Sequence, residues 1–410
     1  MKYLAVLGRQ PEISIAELVL GGSCRLLSSP KIDGNFGGPP PKPSPAHIEF
    51  VSDTVPNISR FGGIIKFAEK LERKPIEYLQ DLPEGKITIG VSDYSEKASR
   101  KTALDEALKL KKILVRHGRS VRVVESREAT LSTATALHNG LSGKNERKVE
   151  LIRVGDEWYK VIGVQDIDAY AKRDQARPAR DAKVGMLPPK LAQILINLCG
   201  PLKPGSVVLD PFCGTGVVLQ EAILMGYRAY GTDINERMIQ YSKKNLEWLI
   251  RDENSHFEGI RRLASRGQAP AARGDGPAGR GPKNELFHLF QADATSFQWE
   301  QPIDAVACEG YLGKPFSRIP TEMELKEQKQ ECKAIVLGFL KNLAKQIKPD
   351  TPVVIAVPAW LRESGEYERM DIVDEIEKLG YNVNNKSRKG LVYHREEQIV
   401  ARDILILRKK

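Results

Sequence analysis

The sequence predicts an α/β domain built on a parallel sheet in the C-terminal half of the chain, preceded by a smaller α+β module. The first observation is a short β-branched run from Val207 to Leu209, which leads through Asp210 into a glycine loop. A helical pattern follows the loop, and a second strand pattern from Arg228 ends at Asp233. Strand, glycine loop, helix, strand and acidic residue in this order are typical of a nucleotide-binding α/β unit.

The glycine loop defines a candidate ligand pocket. Gly214 and Gly216 carry no Cβ, so the backbone can approach a ligand closely, and the helix that opens at Gly216 turns its amides toward that ligand. Asp233 follows Gly216 by 17 positions and is placed to bind a ribose diol. Dinucleotide-binding proteins normally carry a third glycine in the pattern G-x-G-x-x-G, and this loop does not.

The heptapeptide Asp210-Pro-Phe-Cys-Gly-Thr-Gly216 resembles the first motif of S-adenosylmethionine-dependent methyltransferases. The match is to the form found in RNA methyltransferases that modify exocyclic amines. This resemblance implies that S-adenosylmethionine is the cofactor and that the C-terminal domain is Rossmann-like, with a terminal antiparallel hairpin. We also assign the neighbouring Phe212 and Ile234 to the cofactor site.

Composition sets the class of protein. The 410 residues are 41% apolar, enough for two or three domains with real cores, and no apolar run reaches the roughly 18 to 20 residues of a membrane span. The opening residues, Met1 to Gly8, are too short an apolar stretch for a secretory signal, so we expect a cytoplasmic protein. The five cysteines are widely spaced without a C-x-x-C pair, which predicts free thiols and no metal site.

The N-terminal part of the sequence predicts a small α+β module. Its predicted elements are a strand from Lys2 to Leu7, a helix from Ser14 to Leu20, a helix with apolar spacing from Ile58 to Leu71, and a strand from Lys86 to Val91. Between the first two helices, the proline and glycine run from Gly34 to Pro45 predicts a mobile surface loop.

Basic residues are concentrated between Arg100 and Arg127. The net charge of +10, from 63 Lys and Arg against 53 acids, is compatible with a polyanionic partner. Many of the basic residues fall on a predicted helix from Thr102 to His117 and on the strand Ser120 to Val124. This surface is either a solvated amphipathic helix or a phosphate-contacting face. The candidate RNA-binding residues are Lys109, Lys112, Arg116, Arg119 and Arg122.

Three stretches of this region resemble the THUMP domain of RNA-modifying enzymes. They run from Ile89 to Ser92, from Val115 to Arg122 and from Ala129 to Asn139. The resemblance implies tRNA binding and an N-terminal ferredoxin-like unit before the THUMP domain. Further along the chain, the sequence from Asp166 to Gln193 is similar to the junction that precedes the catalytic domain in THUMP methyltransferases of the tRNA guanosine-10 type.

We therefore divide the chain into four parts. Residues 1–70 are the ferredoxin-like unit, 71–165 the THUMP-like RNA-binding domain, 166–189 a linker and 190–410 the methyltransferase domain. Within the last part, residues 251–284 lack an apolar period and are predicted to form a disordered insertion. The helix from Pro189 to Leu198 should cover the cofactor on its amino-acid side, as the family helix does.

Two further strands complete the predicted site. The strand Leu286 to Asp293 places Asp293 at its carboxyl end, where the family has a residue near the adenine; the alternative is a helix N-cap. The strand Ile303 to Cys308 leads into Glu309-Gly-Tyr-Leu, at the position where amine methyltransferases carry Asp/Asn-Pro-Pro-Tyr/Phe.

The chemistry of an exocyclic amine needs acceptors at that position. The amine lone pair is delocalised into the base, so acceptors must hold its N–H bonds and aim the lone pair at the methyl group. Our candidates are the Glu309 carboxylate and the Gly310 carbonyl, and Tyr311 could stack on an extruded base. Glu for Asp and Gly for Pro depart from the family pattern, so a catalytically silent RNA-binding protein is an alternative.

The remaining elements fit the same fold. They are the helices Glu236 to Leu249, Glu322 to Ile347 and Asp371 to Leu379, the strand Pro352 to Pro358, and a hairpin of Leu391–His394 with Ile399–Leu407. The sequence thus predicts an S-adenosylmethionine-dependent RNA methyltransferase acting on N2 of a guanosine in tRNA. Methylation of rRNA or of a DNA amine is the enzymatic alternative, and the oligomeric state is left open.

Overall fold

The computed structural model describes residues 1–22, 24–27, 46–181, 186–251, 286–385, 391–396 and 398–410. These residues form two compact units, Met1–Ala171 and Lys172–Lys410. The predicted mobile loop at 34–45 and the predicted insertion at 251–284 lie outside the described residues, apart from Arg251, the last residue of a helix. No helix in the described ranges is long and apolar enough to cross a membrane.

The first unit is one mixed sheet with helices packed on it. Its strands are β1 (Lys2–Leu7), β2 (Cys24–Leu26), β3 (His47–Ser52), β4 (Ile64–Lys70), β5 (Ile87–Asp93), β6 (Val121–Val124), β7 (Lys148–Val154) and β8 (Glu157–Val164). The helices are α1 (Pro11–Gly21), α2 (Pro75–Gln80), α3 (Arg100–Arg116) and α4 (Thr133–His138). The order is β2-β3-β1-β4-β8-β7-β5-β6, and β5 runs parallel to both of its neighbours.

The predicted helix from Ile58 to Leu71 is wrong. A 3₁₀ turn forms at Ile58–Arg60, and strand β4 at Ile64–Lys70, paired with β1 and β8, occupies most of the remainder. Both faces of β4 are packed, with Phe67 in one apolar cluster and Ala68 in another, and its pairing with β8 shifts register between these two residues. Consecutive residues are therefore buried and the period of two is lost. The apolar spacing of this buried, bulged strand imitates a helical face.

Helix α5 (Ile167–Gln175) crosses the boundary between the units, and the second unit contains the predicted parallel sheet. Its helices are α6 (Pro189–Leu198), α7 (Val217–Leu224), α8 (Glu236–Arg251), α9 (Glu322–Leu343) and α10 (Val373–Lys378). Its strands are β9 (Val207–Asp210), β10 (Arg228–Asp233), β11 (Phe287–Gln291), β12 (Ala305–Glu309), β13 (Pro352–Leu361), β14 (Tyr367–Arg369), β15 (Tyr381–Val383), β16 (Val392–Tyr393) and β17 (Val400–Lys409).

The strand order β11-β10-β9-β12-β13-β17-β15 confirms the predicted Rossmann-like fold class. Strands β9 to β13 are parallel to one another, and β17 pairs antiparallel with β13, β15 and β16. The pairing of β16 with β17 is the predicted terminal antiparallel hairpin. The chain order reverses between β9 and β12, because β10 and β11 extend the sheet on one side and β13 on the other. Ligands of such sheets bind at the carboxyl ends of the strands beside that reversal.

Candidate cofactor and catalytic site

The glycine loop between β9 and α7 is held in a conformation that requires glycine. Gly216 has φ of 82°, and a Cβ there would lie 2.9 Å from Ser242 Oγ, so a side chain is excluded by both backbone and space. Gly214 has φ of 50°, and the nearest atom to a Cβ there would be Phe212 O at 4.0 Å. The loop is therefore closely packed against α8 at Gly216 and open at Gly214.

Two polar side chains of α8, which sequence reasoning missed, fix the carbonyls of this loop. Ser242 Oγ donates to Gly214 O at 2.8 Å, and Asn245 Nδ2 donates to Thr215 O at 2.9 Å. Both side chains are buried on the face of α8 that also carries Met238, Leu246 and Leu249. Two polar residues at apolar-face positions of an amphipathic helix are the sequence signal by which they could have been found. No described side chain caps the amino end of α7, so its first amides stay available to a ligand.

Asp233 stands at the carboxyl end of β10, and each of its carboxylate oxygens accepts one backbone N–H. Gly214 N lies 3.0 Å from Oδ2, and Asn235 N lies 2.8 Å from Oδ1. Burial raises the pKa of Asp233, while these two bonds act in the opposite direction. A carboxylate oxygen accepts more than one hydrogen bond, so the fixed Asp233 retains capacity for a ribose diol. The adjacent Ile234 side chain is 69% exposed, which suits contact with an adenine face.

Three carboxylates from neighbouring strand ends share this region. Asp210 ends β9 and is buried, Asp233 ends β10, and Glu309 ends β12. Burial raises the pKa of Asp210 well above its usual range, the bond from Phe212 N at 3.1 Å opposes that rise, and the charges of Asp233 and Glu309 add to it. Asp210 therefore holds its proton more tightly than a free aspartate does, and the positive charge of a bound ligand would favour its ionised form.

Asp293 follows β11 and is exposed. Its Oδ1 accepts from Thr295 N at 2.8 Å and from Thr295 Oγ1 at 2.7 Å, so Asp293 caps a turn at 294–296, where the alternative drawn from the sequence was the N-cap of a helix. Adenine contact by Asp293 stays a prediction.

Glu309 forms an ion pair that the sequence did not predict. Its Oε1 accepts from Arg402 Nε, and the two side chains are 17% and 6% exposed. Arg402 lies on β17, directly opposite Pro358 of β13. The missed signal is the charged pair Arg402-Asp403 inside an otherwise apolar strand pattern, because charges at buried strand positions are kept only with partners.

The loop after Glu309 is anchored on both sides. Gly310 N donates to Ala356 O of β13 at 2.9 Å. On α9, Gln328 Oε1 accepts from Lys314 N at 2.6 Å. Tyr311 is half-buried, and burial together with the neighbouring Glu331 raises the pKa of its phenol. The predicted catalytic residues thus lie in a defined loop at the end of β12.

The five candidate RNA-binding residues lie in the first unit. Lys109, Lys112 and Arg116 are exposed on the side of α3 opposite its buried residues Ala103, Ala107, Leu110 and Leu114. Arg122 is exposed on β6 and donates to Asn139 Oδ1 at 3.0 Å. Arg119 differs, because its guanidinium donates to Leu82 O at 3.0 Å and Pro83 O at 2.7 Å, so it anchors the preceding loop.

The side chains present fit S-adenosylmethionine. A diol acceptor at Asp233, an exposed apolar residue at Ile234, an open glycine at Gly214 and a buried acid at Asp210 match an adenosyl group with an amino acid tail that carries an ammonium group. The described residues contain no group of three His, Cys, Asp or Glu side chains that could hold a metal ion.

Comparison with known proteins found likeness over parts of the chain. A family described as DNA methylase matches residues 125–244. A tRNA (guanine(10)-N2)-dimethyltransferase of Methanothermobacter thermautotrophicus is 47% identical over 76 residues, 18% of this chain and 22% of that protein. The corresponding Pyrococcus abyssi protein is 47% identical over 62 residues, 15% of this chain and 18% of that protein. The chain thus spans about a fifth of the length of these curated relatives.

Two other matches are a type II methyltransferase and a solved structure. A type II methyltransferase of Methanothermobacter wolfeii is 33% identical over 110 residues, 26% of this chain and 16% of that protein. The crystal structure of TrmN from Thermus thermophilus covers all of both chains at 16% identity with a TM-score of 0.45. The family match at 125–244 includes the glycine loop and Asp233 and stops before Glu309, so this likeness concerns the cofactor side of the site.

Proposed function

We propose that the protein is an S-adenosylmethionine-dependent methyltransferase that modifies the exocyclic N2 amine of a guanosine in tRNA. The observation that carries the proposal is the group of three carboxylates at the ends of β9, β10 and β12, where the order of the parallel strands reverses. The relatives named tRNA (guanine(10)-N2)-dimethyltransferase support the choice of substrate.

On the cofactor side, each residue has a separate task. Asp233 binds the ribose hydroxyls, Ile234 covers the adenine, and the Asp210 carboxyl accepts a hydrogen bond from the amino group of the tail. The glycine loop lets the backbone approach. S-adenosylmethionine, when bound, supplies an electrophilic methyl group on a sulfonium centre.

On the substrate side, Glu309 orients the amine. Arg402 holds Oε1, which leaves Oε2 to accept an N–H bond from the target amine, with the Gly310 carbonyl as a second acceptor. The amine gains positive charge as its lone pair attacks, and the Glu309 carboxylate stabilises that charge. Tyr311 is the candidate stacking partner for the base.

The first unit would dock the tRNA. We assign residues 1–70 to a ferredoxin-like unit and 71–165 to a THUMP-like domain, and we place phosphate contacts on Lys109, Lys112, Arg116 and Arg122. The carbonyl bonds of Arg119 count against a phosphate contact by that residue. Cytoplasmic location belongs to the same proposal.

Methylation of a DNA amine is the second candidate, because the matching family is described as DNA methylase and one relative is a type II methyltransferase. Mass spectrometry of nucleosides from tRNA, rRNA and DNA, each incubated with the full chain and isotopically labelled cofactor, decides between them. We expect label in N2-methylguanosine from tRNA. Label in a DNA amine would favour the second candidate, and cofactor binding without label in any substrate would indicate a silent RNA-binding protein.

A further inference from the structure

The segment from Arg173 to Asp181 is fastened to the elements that form the cofactor site. Arg173 Nε donates to Glu221 Oε1 of α7 at 2.6 Å, and both side chains are buried. Ala179 bonds twice to the Asn245 side chain of α8, through its N–H and its carbonyl, each at 2.9 Å. The same Asn245 amide holds the glycine-loop carbonyl of Thr215. A third attachment joins Asp181 to Arg237 in the first turn of α8, at 2.7 Å.

Arg177 lies between these attachments and is 3% exposed. Its Nε, Nη1 and Nη2 atoms are all buried, and none has a hydrogen-bond partner among the described residues. Burial lowers the pKa of Arg177, and Asp174 opposes that effect only through its charge. A buried guanidinium without an anion is costly, so a protein that keeps one is expected to use it for a ligand.

The charges around the site indicate which group of the cofactor Arg177 could bind. The amino acid tail of S-adenosylmethionine carries a carboxylate, and the acids Asp233 and Glu309 at the neighbouring strand ends offer it no counter-charge. A cation is needed on that side of the pocket. Three other buried or nearby arginines are already paired with carboxylates, and they are Arg173 with Glu221, Arg237 with Asp181 and Arg402 with Glu309.

We propose that Arg177 binds the carboxylate of the methionine moiety of S-adenosylmethionine. Arg177 precedes Ala179 by two residues, which span at most about 7 Å, and Ala179 shares one side-chain amide with the glycine loop. A small ligand that enters the pocket can reach such a buried group, whereas a phosphate on an RNA backbone needs an exposed one. The inference rests on the proposed function and names a binding residue that the glycine-loop motif does not include.

The test compares ligands with and without the carboxylate. Calorimetry would measure S-adenosylhomocysteine and 5′-methylthioadenosine, which lacks the amino acid tail, on the full chain and on Arg177→Gln. We expect Arg177→Gln to weaken S-adenosylhomocysteine by roughly 10- to 100-fold, the range of hydrogen bonds to a charged group, and to leave 5′-methylthioadenosine within about twofold. The matched control is Arg180→Gln, an exposed arginine three residues away, which should change neither.

Thermal unfolding separates binding from folding. Because the unpaired charge is removed, Arg177→Met should unfold no earlier than the parent without ligand and should gain less stability from saturating S-adenosylhomocysteine. Equal losses for both ligands, unchanged affinity for both, or a loss of tRNA affinity alone would each overturn the assignment, the last in favour of a phosphate contact. If the parent chain binds neither ligand, the proposed function itself fails.

Discussion

The ion pair between Glu309 and Arg402 makes the catalytic loop testable by a double-mutant cycle. Replacing Glu309 with Gln removes the carboxylate charge that should stabilise the amine during transfer, so single-turnover rates with saturating tRNA should fall by roughly 10² to 10³. The same change leaves Arg402, which is 6% exposed, without its anion. Glu309→Gln should therefore lose stability as well as activity.

The size of the stability loss follows from burial. Removing one partner of a buried ion pair costs about 3–5 kcal/mol, and the 17% exposure of Glu309 places the expected loss near the lower end, at about 3 kcal/mol. In the double variant Glu309→Gln/Arg402→Met no unpaired charge remains, so about 2 kcal/mol of that loss should return. Urea unfolding followed by tryptophan fluorescence measures each corner of the cycle.

Activity and stability should then separate. We expect the double variant to regain stability but to stay as slow as Glu309→Gln, because the charge that acts on the amine is absent from both. If turnover recovers together with stability, Glu309 acts only through folding and the acceptor role moves to the Gly310 carbonyl. If the double variant is no more stable than Glu309→Gln, the two side chains are not energetically coupled.

Three other predictions concern the cofactor pocket and the basic face. Asp233→Ala should weaken S-adenosylmethionine by about 1–3 kcal/mol through loss of the diol acceptor, and an unchanged Kd in calorimetry would remove Asp233 from the site. Since the folded pKa of Asp210 is raised, the folded chain keeps a proton that the unfolded chain releases, and the free energy of unfolding falls as pH rises from the usual aspartate range toward the folded pKa. Asp210→Asn lacks this titration, so its stability relative to the parent should grow with pH in denaturation curves; a constant difference contradicts the burial argument. Changing Lys109, Lys112 and Arg116 together to Gln should weaken tRNA binding and reduce its salt slope by roughly 2 to 3, and an unaltered slope would place the phosphates elsewhere.

The fold around the candidate cofactor site could be predicted because its signals are local. Asp210, Gly214, Gly216 and Asp233 lie within 24 consecutive residues, and their order along the chain dictates a strand, a loop, a helix and a strand end. The helix Pro189–Leu198 also has the predicted bounds, since prolines define its start and its apolar run its length.

The partners of the site residues could not be predicted because they are non-local. Arg402 meets Glu309 across 93 positions, and the two residues come together because β12 and β17 pair with opposite edges of β13. The burial of Arg177 and the shared amide of Asn245 likewise depend on packing between segments. Strand β4 imitates a helix for a related reason, because packing on both of its faces removes the alternation that identifies a strand.

The position of β17 has a consequence for how the protein is made. This strand lies between β13 and β15 in the sheet, although it follows both in sequence, and its nine Cα pairs with β13 run from Pro352↔Arg408 to Trp360↔Val400. During synthesis, β13 must therefore wait with an open edge until residues 400–409 have left the ribosome. Arg402 arrives on the same strand, so a nascent or truncated chain holds the glycine loop without the arginine that positions Glu309.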